Sequence, residues 1–184
     1  HCKVGSKLRR TPGSVCSNCY ALKGNYLRFH NHIYPAMVKR LKSIRRTAWV
    51  SNMVFLIKHQ AIKNGDIFRW HDSGDMQDVA HFKKIIEVCR LTPGIKHWLP
   101  TRELGIVSMV KDIPNNLAIR QSMPMIDGRP VKMSLGALTS TVISSKDKAR
   151  PTDWICPAIE QDGQCKECRA CWNKNISNVA YLEH

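Results

Sequence analysis

The stretch DIFRWHDSGDMQDVAHFKKIIEVCRLTPGIKHWLPTRE, residues 66–103, contains the signals of a strand, a helix and a second strand in succession. Residues 67–70 form a short, mostly apolar run that leads into the turn-forming residues HDSGD. Residues 78–89 repeat apolar side chains at helical spacing before Pro93 and Gly94, and residues 95–99 form a second apolar run. Because a helix between two strands is typical of a parallel sheet, the stretch predicts an α/β fold.

The flanking sequence continues this alternation of helices and strands. Helices are predicted over residues 35–48, 50–62 and 104–110, and strands over residues 117–120, 131–135 and 140–143. Residues 1–20 and 144–154 are predicted loops, rich in turn-forming residues. The units are too few for an eight-stranded barrel, so we expect a partial (β/α) barrel or a small, mostly parallel sheet.

The 184 residues suffice for one domain, with three parts of different composition. Residues 1–65 contain thirteen Lys or Arg and no Asp or Glu, residues 66–145 form the α/β core, and residues 146–184 are rich in cysteine. A basic segment of this kind predicts an anionic partner, most simply nucleic acid. The alternative interpretation is a solvated basic face that confers only solubility.

Composition also limits where the protein acts. No apolar run approaches the roughly 20 residues of a membrane span, so no membrane partner is expected. The sequence has no signal peptide, and its first residue is not Met, so we expect that it is part of a longer protein. Eight cysteines without a secretion signal favour a reducing cytosol and metal ligation, with a disulfide framework as the alternative.

Four cysteines near the C-terminus lie in the window CPAIEQDGQCKECRAC and are called here the C-terminal cysteines: Cys156, Cys165, Cys168 and Cys171. The last three follow the spacing C-x2-C-x2-C, which is typical of iron–sulfur clusters, whereas zinc sites usually pair two separate turns. We therefore predict a [4Fe–4S] cluster in a metal-binding C-terminal segment. Structural Zn²⁺, disulfides and free thiols are the alternatives.

A second group near the other end of the chain is called the N-terminal cysteines: Cys2, Cys16 and Cys19. Three thiolates allow a three-cysteine cluster with one open iron, or a site completed by His1, His30 or His32. In a third interpretation they join some of the C-terminal cysteines around one shared cluster. Alternatively, Cys2 is an incidental thiol. Cys89 lies among apolar helical positions and is predicted to be a core residue.

Polar side chains follow the first three predicted strands, in the stretches HDSGD, PTRE and RQS, where active sites of parallel sheets usually lie. In HDSGD, His71, Asp72 and Asp75 are candidate catalytic residues, as acid, base, orienting group or ligand. The alternative is a turn in which Asp75 caps the next helix. Arg102 and Glu103 are candidates for binding an anionic ligand, or they form an ion pair with each other. Trp70 and Trp98 are predicted core residues, with base stacking as the alternative.

Five stretches give the chain a resemblance to a known family: CKVGSKL, GSVCSNCYALKGNY, FRWHDSGDMQD, TPGIKHWLPTRE and CRACWNKNISNVAY. With these strings the chain resembles the phage gene product 88-like proteins. The resemblance implies a bacteriophage or prophage origin and a location in the cytoplasm of the bacterial host. The CYA string is also similar to radical S-adenosylmethionine proteins, although the spacing here is C-x13-C-x2-C rather than C-x3-C-x2-C.

Two hypotheses of function follow. The first is a phage-encoded iron–sulfur protein with at least one [4Fe–4S] cluster and a redox partner. Its role would be redox or radical-SAM-like, and the radical-SAM-like role would need S-adenosylmethionine as a further cofactor. The second is a nucleic-acid-binding phage protein in which structural zinc or a cluster only stabilises the fold. Whether the protein is an enzyme is not decided by the sequence.

Overall fold

The structure, a computed structural model, describes residues 2–131 and 138–183. The helices in this part of the chain are Lys3–Leu8 (α1), Gly24–Arg28 (α2), His30–Ser43 (α3), Trp49–Asn64 (α4), Val79–Leu91 (α5) and Leu104–Ser108 (α6). Single turns of 3₁₀ helix occur at Tyr20–Leu22, Lys146–Lys148, Pro157–Gln161 and Ala170–Trp172.

One sheet of six strands organises the molecule. The strands are Ile67–Arg69 (β1), Lys96–Thr101 (β2), Leu117–Ile126 (β3), Leu138–Ile143 (β4), Trp154–Ile155 (β5) and Asn178–Leu182 (β6). Their spatial order is β1-β2-β3-β4-β6-β5, and every neighbouring pair is parallel. The sheet curls into a half-barrel, which confirms the predicted α/β fold class.

The outer face of the half-barrel is covered by α4, α5 and α6. The predicted apolar stripe of α5 faces this core, where Phe82, Ile85 and Cys89 are fully buried. Each fully buried side chain of the size of Phe or Ile contributes about 1.5–3 kcal/mol of burial free energy. Helix α5 begins where the Asp78 carboxylate accepts a hydrogen bond from the backbone N–H of His81 at 2.7 Å. Asp78, not Asp75, is therefore the cap of this helix.

The inner face of the half-barrel is covered by the chain around the last cysteines. Trp98 and Val179 pack there against the turn Ala170–Trp172. The Trp172 ring lies 5.4 Å from that of Trp98, centroid to centroid, and its Nε1 donates to the Phe68 carbonyl at 3.0 Å. Trp70 is buried in the outer core and Trp98 in the inner one. Both are core residues, and base stacking by either is excluded by burial.

The largest differences from the predicted elements lie near the two chain ends. The predicted N-terminal loop contains α1, and the helix expected to begin at Pro35 begins five residues earlier. This earlier start was not predicted because residues 30–34 lack an apolar repeat. Strands β5 and β6 were not predicted, since they are short, with two and five residues. The strand predicted over residues 131–135 lies, apart from Val131, outside the described residues.

Three buried histidines lie under or beside the helical layer. His97 is fully buried, with its Nε2 2.8 Å from Thr92 Oγ1, and the ring of His81 lies edge-on to that of His71 at 5.6 Å between centroids. Burial lowers the pKa of each of the three to about 4. The buried imidazoles are therefore neutral at physiological pH.

These pKa values predict that the fold loses stability on mild acidification. The unfolded chain takes up protons on these histidines near pH 6.5 and the folded chain only near pH 4, so the free energy of unfolding should fall as pH drops through that window. Urea unfolding at several pH values measures this. On acidification, the free energy of unfolding should decrease less in His97→Gln than in the parent. In His59→Gln, which changes an exposed residue, it should decrease as much as in the parent. A midpoint that rises on acidification would contradict the assignment.

Candidate metal centre

The C-terminal cysteines are brought together by two turns and the edge strand β5. Cys156 directly follows β5, and its N–H donates to the Ala180 carbonyl of β6 at 2.8 Å. The N–H of Cys168 donates to the carbonyl of Cys165 at 2.8 Å, which closes the first C-x2-C turn. Lys166 adopts a left-handed conformation within it (φ 42°). Such a turn directs two thiols to the same side of the chain.

All four C-terminal cysteines line one cavity on the inner face of the half-barrel. The remaining walls are mainly apolar: Trp154, Pro157, Ala158, Ala170, Trp172 and Val179. The cavity is small: its free space is about 10 Å³, against the roughly 300–1,000 Å³ of ordinary small-molecule pockets. Its four thiol donors, rather than its volume, suit an ion or a small inorganic cluster.

Burial weakens the acidity of two of these thiols, Cys156 and Cys171. Burial raises the pKa of Cys171 to about 11, and its Sγ lies 3.1 Å from the hydroxyl of Tyr181. Burial also raises the pKa of Cys156, with smaller contributions from its neighbours Cys165 and Cys168. Within the described residues, no three His, Cys, Asp or Glu donors already surround one point closely enough to hold an ion. Metal binding would therefore draw the sulfurs inward, as is common where ligation and folding are coupled.

Arg120 holds the cysteine turn in place. This residue of β3 is fully buried, and its guanidinium donates to the backbone carbonyls of Cys171 (2.9 Å), Ala170 (2.9 Å), Asn173 (2.8 Å) and Thr139 (3.3 Å). The turn is thus bound to the sheet by one side chain that also places a positive charge near the thiols. The sequence placed Arg120 in the polar loop RQS at the end of a strand, but the structure places it inside β3, which continues to Ile126.

The N-terminal cysteines lie in a separate neighbourhood, at the carboxyl ends of β1 and β2. Buried Gly5 of α1 lies beside two of them: a Cβ there would stand 2.6 Å from Cys2 Sγ and 3.5 Å from Cys16 Sγ. The electrostatic neighbours of these thiols are Asp75 and Arg102. His30 instead stacks on Tyr34 at 5.2 Å, and His1 lies outside the described residues.

The absence of a side chain at Gly5 gives a prediction. Gly5→Ala should destabilise the fold by about 1 kcal/mol or more, because the new methyl group collides with Cys2 Sγ. Gly105→Ala is the matched control, since nothing lies within 4 Å of its added Cβ and alanine favours the helix. Urea unfolding measures both variants. In a Cys2→Ala background the Gly5→Ala cost should disappear; an equal cost there would show that Cys2 is not the neighbour responsible.

The catalytic candidate Asp75 joins the loops after β1 and β2. Its buried carboxylate accepts hydrogen bonds from Thr101 Oγ1 (2.7 Å), the N–H of Arg102 (2.8 Å) and its neighbour Met76 N–H (2.8 Å). Burial raises the pKa of Asp75, and these hydrogen bonds oppose that rise. With its acceptor positions used in this way, Asp75 positions the rim of the half-barrel.

Glu103 and Arg102 have different partners rather than each other. Glu103 is buried and accepts a hydrogen bond from the N–H of Val4 at 3.1 Å, so it fastens α1 to the rim. Arg102 extends towards the Met123 carbonyl (3.4 Å) and the N-terminal thiols. The three ion pairs in the part of the chain that the structure describes do not include Arg102 with Glu103, so that alternative is wrong.

The other two catalytic candidates lie at the start of the same rim. His71 has a left-handed backbone (φ 62°), and its buried Nδ1 has no hydrogen-bond partner among the described residues. Asp72 accepts hydrogen bonds from two phenols that follow Cys19 in sequence: the hydroxyl of Tyr20 donates to its carbonyl, and that of Tyr26 to its carboxylate. Sequence reasoning missed both tyrosines. The structure therefore brings all five catalytic candidates and the N-terminal cysteines to one end of the sheet, and the C-terminal cysteines to its inner face.

Comparison with known proteins identifies the family. No curated protein and no solved structure matches the chain significantly. The sequence does match the family described as gene product 88, over residues 7–174. This match does not support the resemblance to radical S-adenosylmethionine proteins. None of the helices that the structure describes combines the length and hydropathy needed to span a bilayer. Because the match covers most of its length, the chain belongs to the phage gene product 88 family.

Proposed function

We propose that this phage protein is an iron–sulfur protein in which the C-terminal cysteines hold a [4Fe–4S] cluster on the inner face of the half-barrel. The observation that carries the proposal is the single cavity lined by all four of their side chains. A cubane cluster requires four thiolates around one centre, and C-x2-C-x2-C supplies three of them from two consecutive turns. Cys156, which directly follows β5, supplies the fourth thiolate.

The surroundings of the cavity favour a cluster over a zinc ion. Trp154 and Trp172 line the cavity, and apolar walls restrict the access of water to Cys156, Cys168 and Cys171, whereas Cys165 is exposed. Arg120 adds a buried positive charge, which offsets the negative charge of a thiolate-ligated cluster. Hydrophobic cover and nearby charge are the means by which proteins tune the potential of such a centre.

When bound, the cluster would supply one-electron transfer, so we propose a redox role with a separate redox partner. The reducing cytoplasm of the bacterial host is the compartment that suits free thiols and iron–sulfur ligation. The N-terminal cysteines form a second candidate centre. Whether that centre takes S-adenosylmethionine stays a hypothesis, tested by adding the cofactor and a reductant and measuring cleavage.

Anaerobic purification followed by optical spectroscopy tests the proposal. The protein should be brown, with broad visible absorption that decreases when dithionite is added and returns on reoxidation. Metal-free protein, prepared with a chelator and reductant, should regain this spectrum after incubation with ferrous iron and sulfide. Protein that remains colourless after both procedures, and that binds zinc instead, would contradict the proposal and favour a structural zinc site.

A further inference from the structure

An exposed surface on α2 and α3 is not explained by the metal centre. Neither helix buries a single residue, although α3 is fourteen residues long. The surface, called here the α2–α3 surface, consists of three exposed rings and the exposed cation beside them: Phe29, His30, Tyr34 and Arg28. A helix of this length without buried contacts gains little from packing, and its apolar rings remain available to a partner.

The rings of the α2–α3 surface are already arranged for stacking. The rings of His30 and Tyr34 lie parallel within 20° and 5.2 Å apart, on successive turns of α3. The guanidinium of Arg28 lies over the ring of Phe29, 5.5 Å from its centroid. Phe29 and Tyr34 are 46% and 55% exposed. Single exposed aromatic residues are ordinary, but three exposed rings within six residues concentrate stacking surface in one short segment.

The charge of this region selects the partner. Residues 1–65 contain thirteen Lys or Arg and no acid, and the three ion pairs among the described residues all lie beyond residue 65. Arg28, the cation beside the rings, is thus not in an ion pair with a carboxylate of the described residues. A second copy of the protein would bring the same positive charge and be repelled. A polyanion is the complementary partner.

We propose that the α2–α3 surface binds single-stranded nucleic acid, with unpaired bases stacked on Phe29 and on the His30–Tyr34 pair and a phosphate bound by the adjoining Arg28. Stacking requires bases whose faces are free, and in a duplex those faces are covered by neighbouring base pairs. The combination of stacked rings with cations is the arrangement by which proteins bind single strands without base-specific hydrogen bonds. This inference does not depend on the metal centre.

Fluorescence anisotropy with a labelled oligothymidylate of about 15 nucleotides tests the proposal, with the full chain purified anaerobically and a duplex of the same length as competitor. The single strand should bind more tightly than the duplex. Tyr34→Ala should weaken binding about tenfold, whereas Tyr34→Phe, which keeps the ring, should bind as the parent does. Arg28→Gln should lower the slope of log affinity against log salt by about 0.7.

A matched variant distinguishes binding at the α2–α3 surface from nonspecific attraction by the protein's overall positive charge. Lys111→Gln removes an exposed cation outside the surface and should leave the salt slope almost unchanged, and metal content should be the same in every variant. The proposal is overturned if no binding occurs at low salt, or if the duplex binds equally well and Tyr34→Ala has no effect. Self-association that Tyr34→Ala abolishes would overturn it too, since the occupant would then be a second copy.

Discussion

Cys168→Ala is expected to lower the iron content of anaerobically purified protein by about four per chain, with a matching loss of visible absorption. Cys168 belongs to both C-x2-C turns, so its removal leaves neither turn with two thiols. A cubane cluster held by three of its four ligands is usually labile, and this one would keep no complete turn to retain it. Optical spectra and iron analysis of the purified variant measure the effect.

Two further cysteine variants are the controls for this prediction. Cys89→Ala removes another buried thiol, in the helical layer on the opposite face of the sheet, and should keep the full spectrum. Cys19→Ala alters the N-terminal cysteines and should leave the C-terminal centre intact. Loss of all the iron in both Cys168→Ala and Cys19→Ala would contradict two separate centres and favour one cluster shared by both groups.

Arg120→Met is expected to lower the free energy of unfolding by about 3 kcal/mol or more. The guanidinium satisfies four backbone carbonyls, three of them in the cysteine turn, and methionine can donate to none of them. Hydrogen bonds from a charged donor are worth about 1.5–3 kcal/mol each, and carbonyls left unpaired in the interior add a desolvation cost. Urea unfolding followed by tryptophan fluorescence measures the loss.

The same substitution should also lower metal content although every cysteine remains, because the turn that carries Cys171 loses its attachment to β3. Arg90→Met is the matched control: Arg90 pairs with Asp112 at the surface, where an ion pair contributes about 0–1 kcal/mol. A change in stability as small as that of Arg90→Met would show that the turn is held by its other contacts, the Trp172 hydrogen bond to Phe68 and its apolar packing.

The centre of the fold was predictable because its signals are local. Helix α5 has a strong apolar repeat, a capping aspartate and a Pro-Gly stop, and both flanking strands are short apolar runs. The polar residues after β1 and β2 were also correctly placed together, since parallel strands direct their carboxyl ends to one edge. What periodicity could not provide was the role of each carboxylate: Asp75 joins two loops, and Asp78 caps the helix.

The ends of the chain were harder to predict because tertiary contacts form them. Helix α1 is short and is fastened by the hydrogen bond from Val4 to Glu103, ninety-nine residues away in sequence. Strand β6 exists because it completes the sheet between β4 and β5. The position of the C-terminal cysteines inside the half-barrel depends on Arg120, whose long-range contacts leave no trace in the spacing of the cysteines.

The most direct test of the account is the stoichiometry of iron, acid-labile sulfide and zinc in the anaerobically purified wild-type chain. A [4Fe–4S] cluster on the C-terminal cysteines predicts about four iron and about four sulfide per chain, or about twice that if the N-terminal cysteines hold a second cluster, with little zinc. One zinc per chain without sulfide would contradict the central claim and leave the four thiols as a structural site.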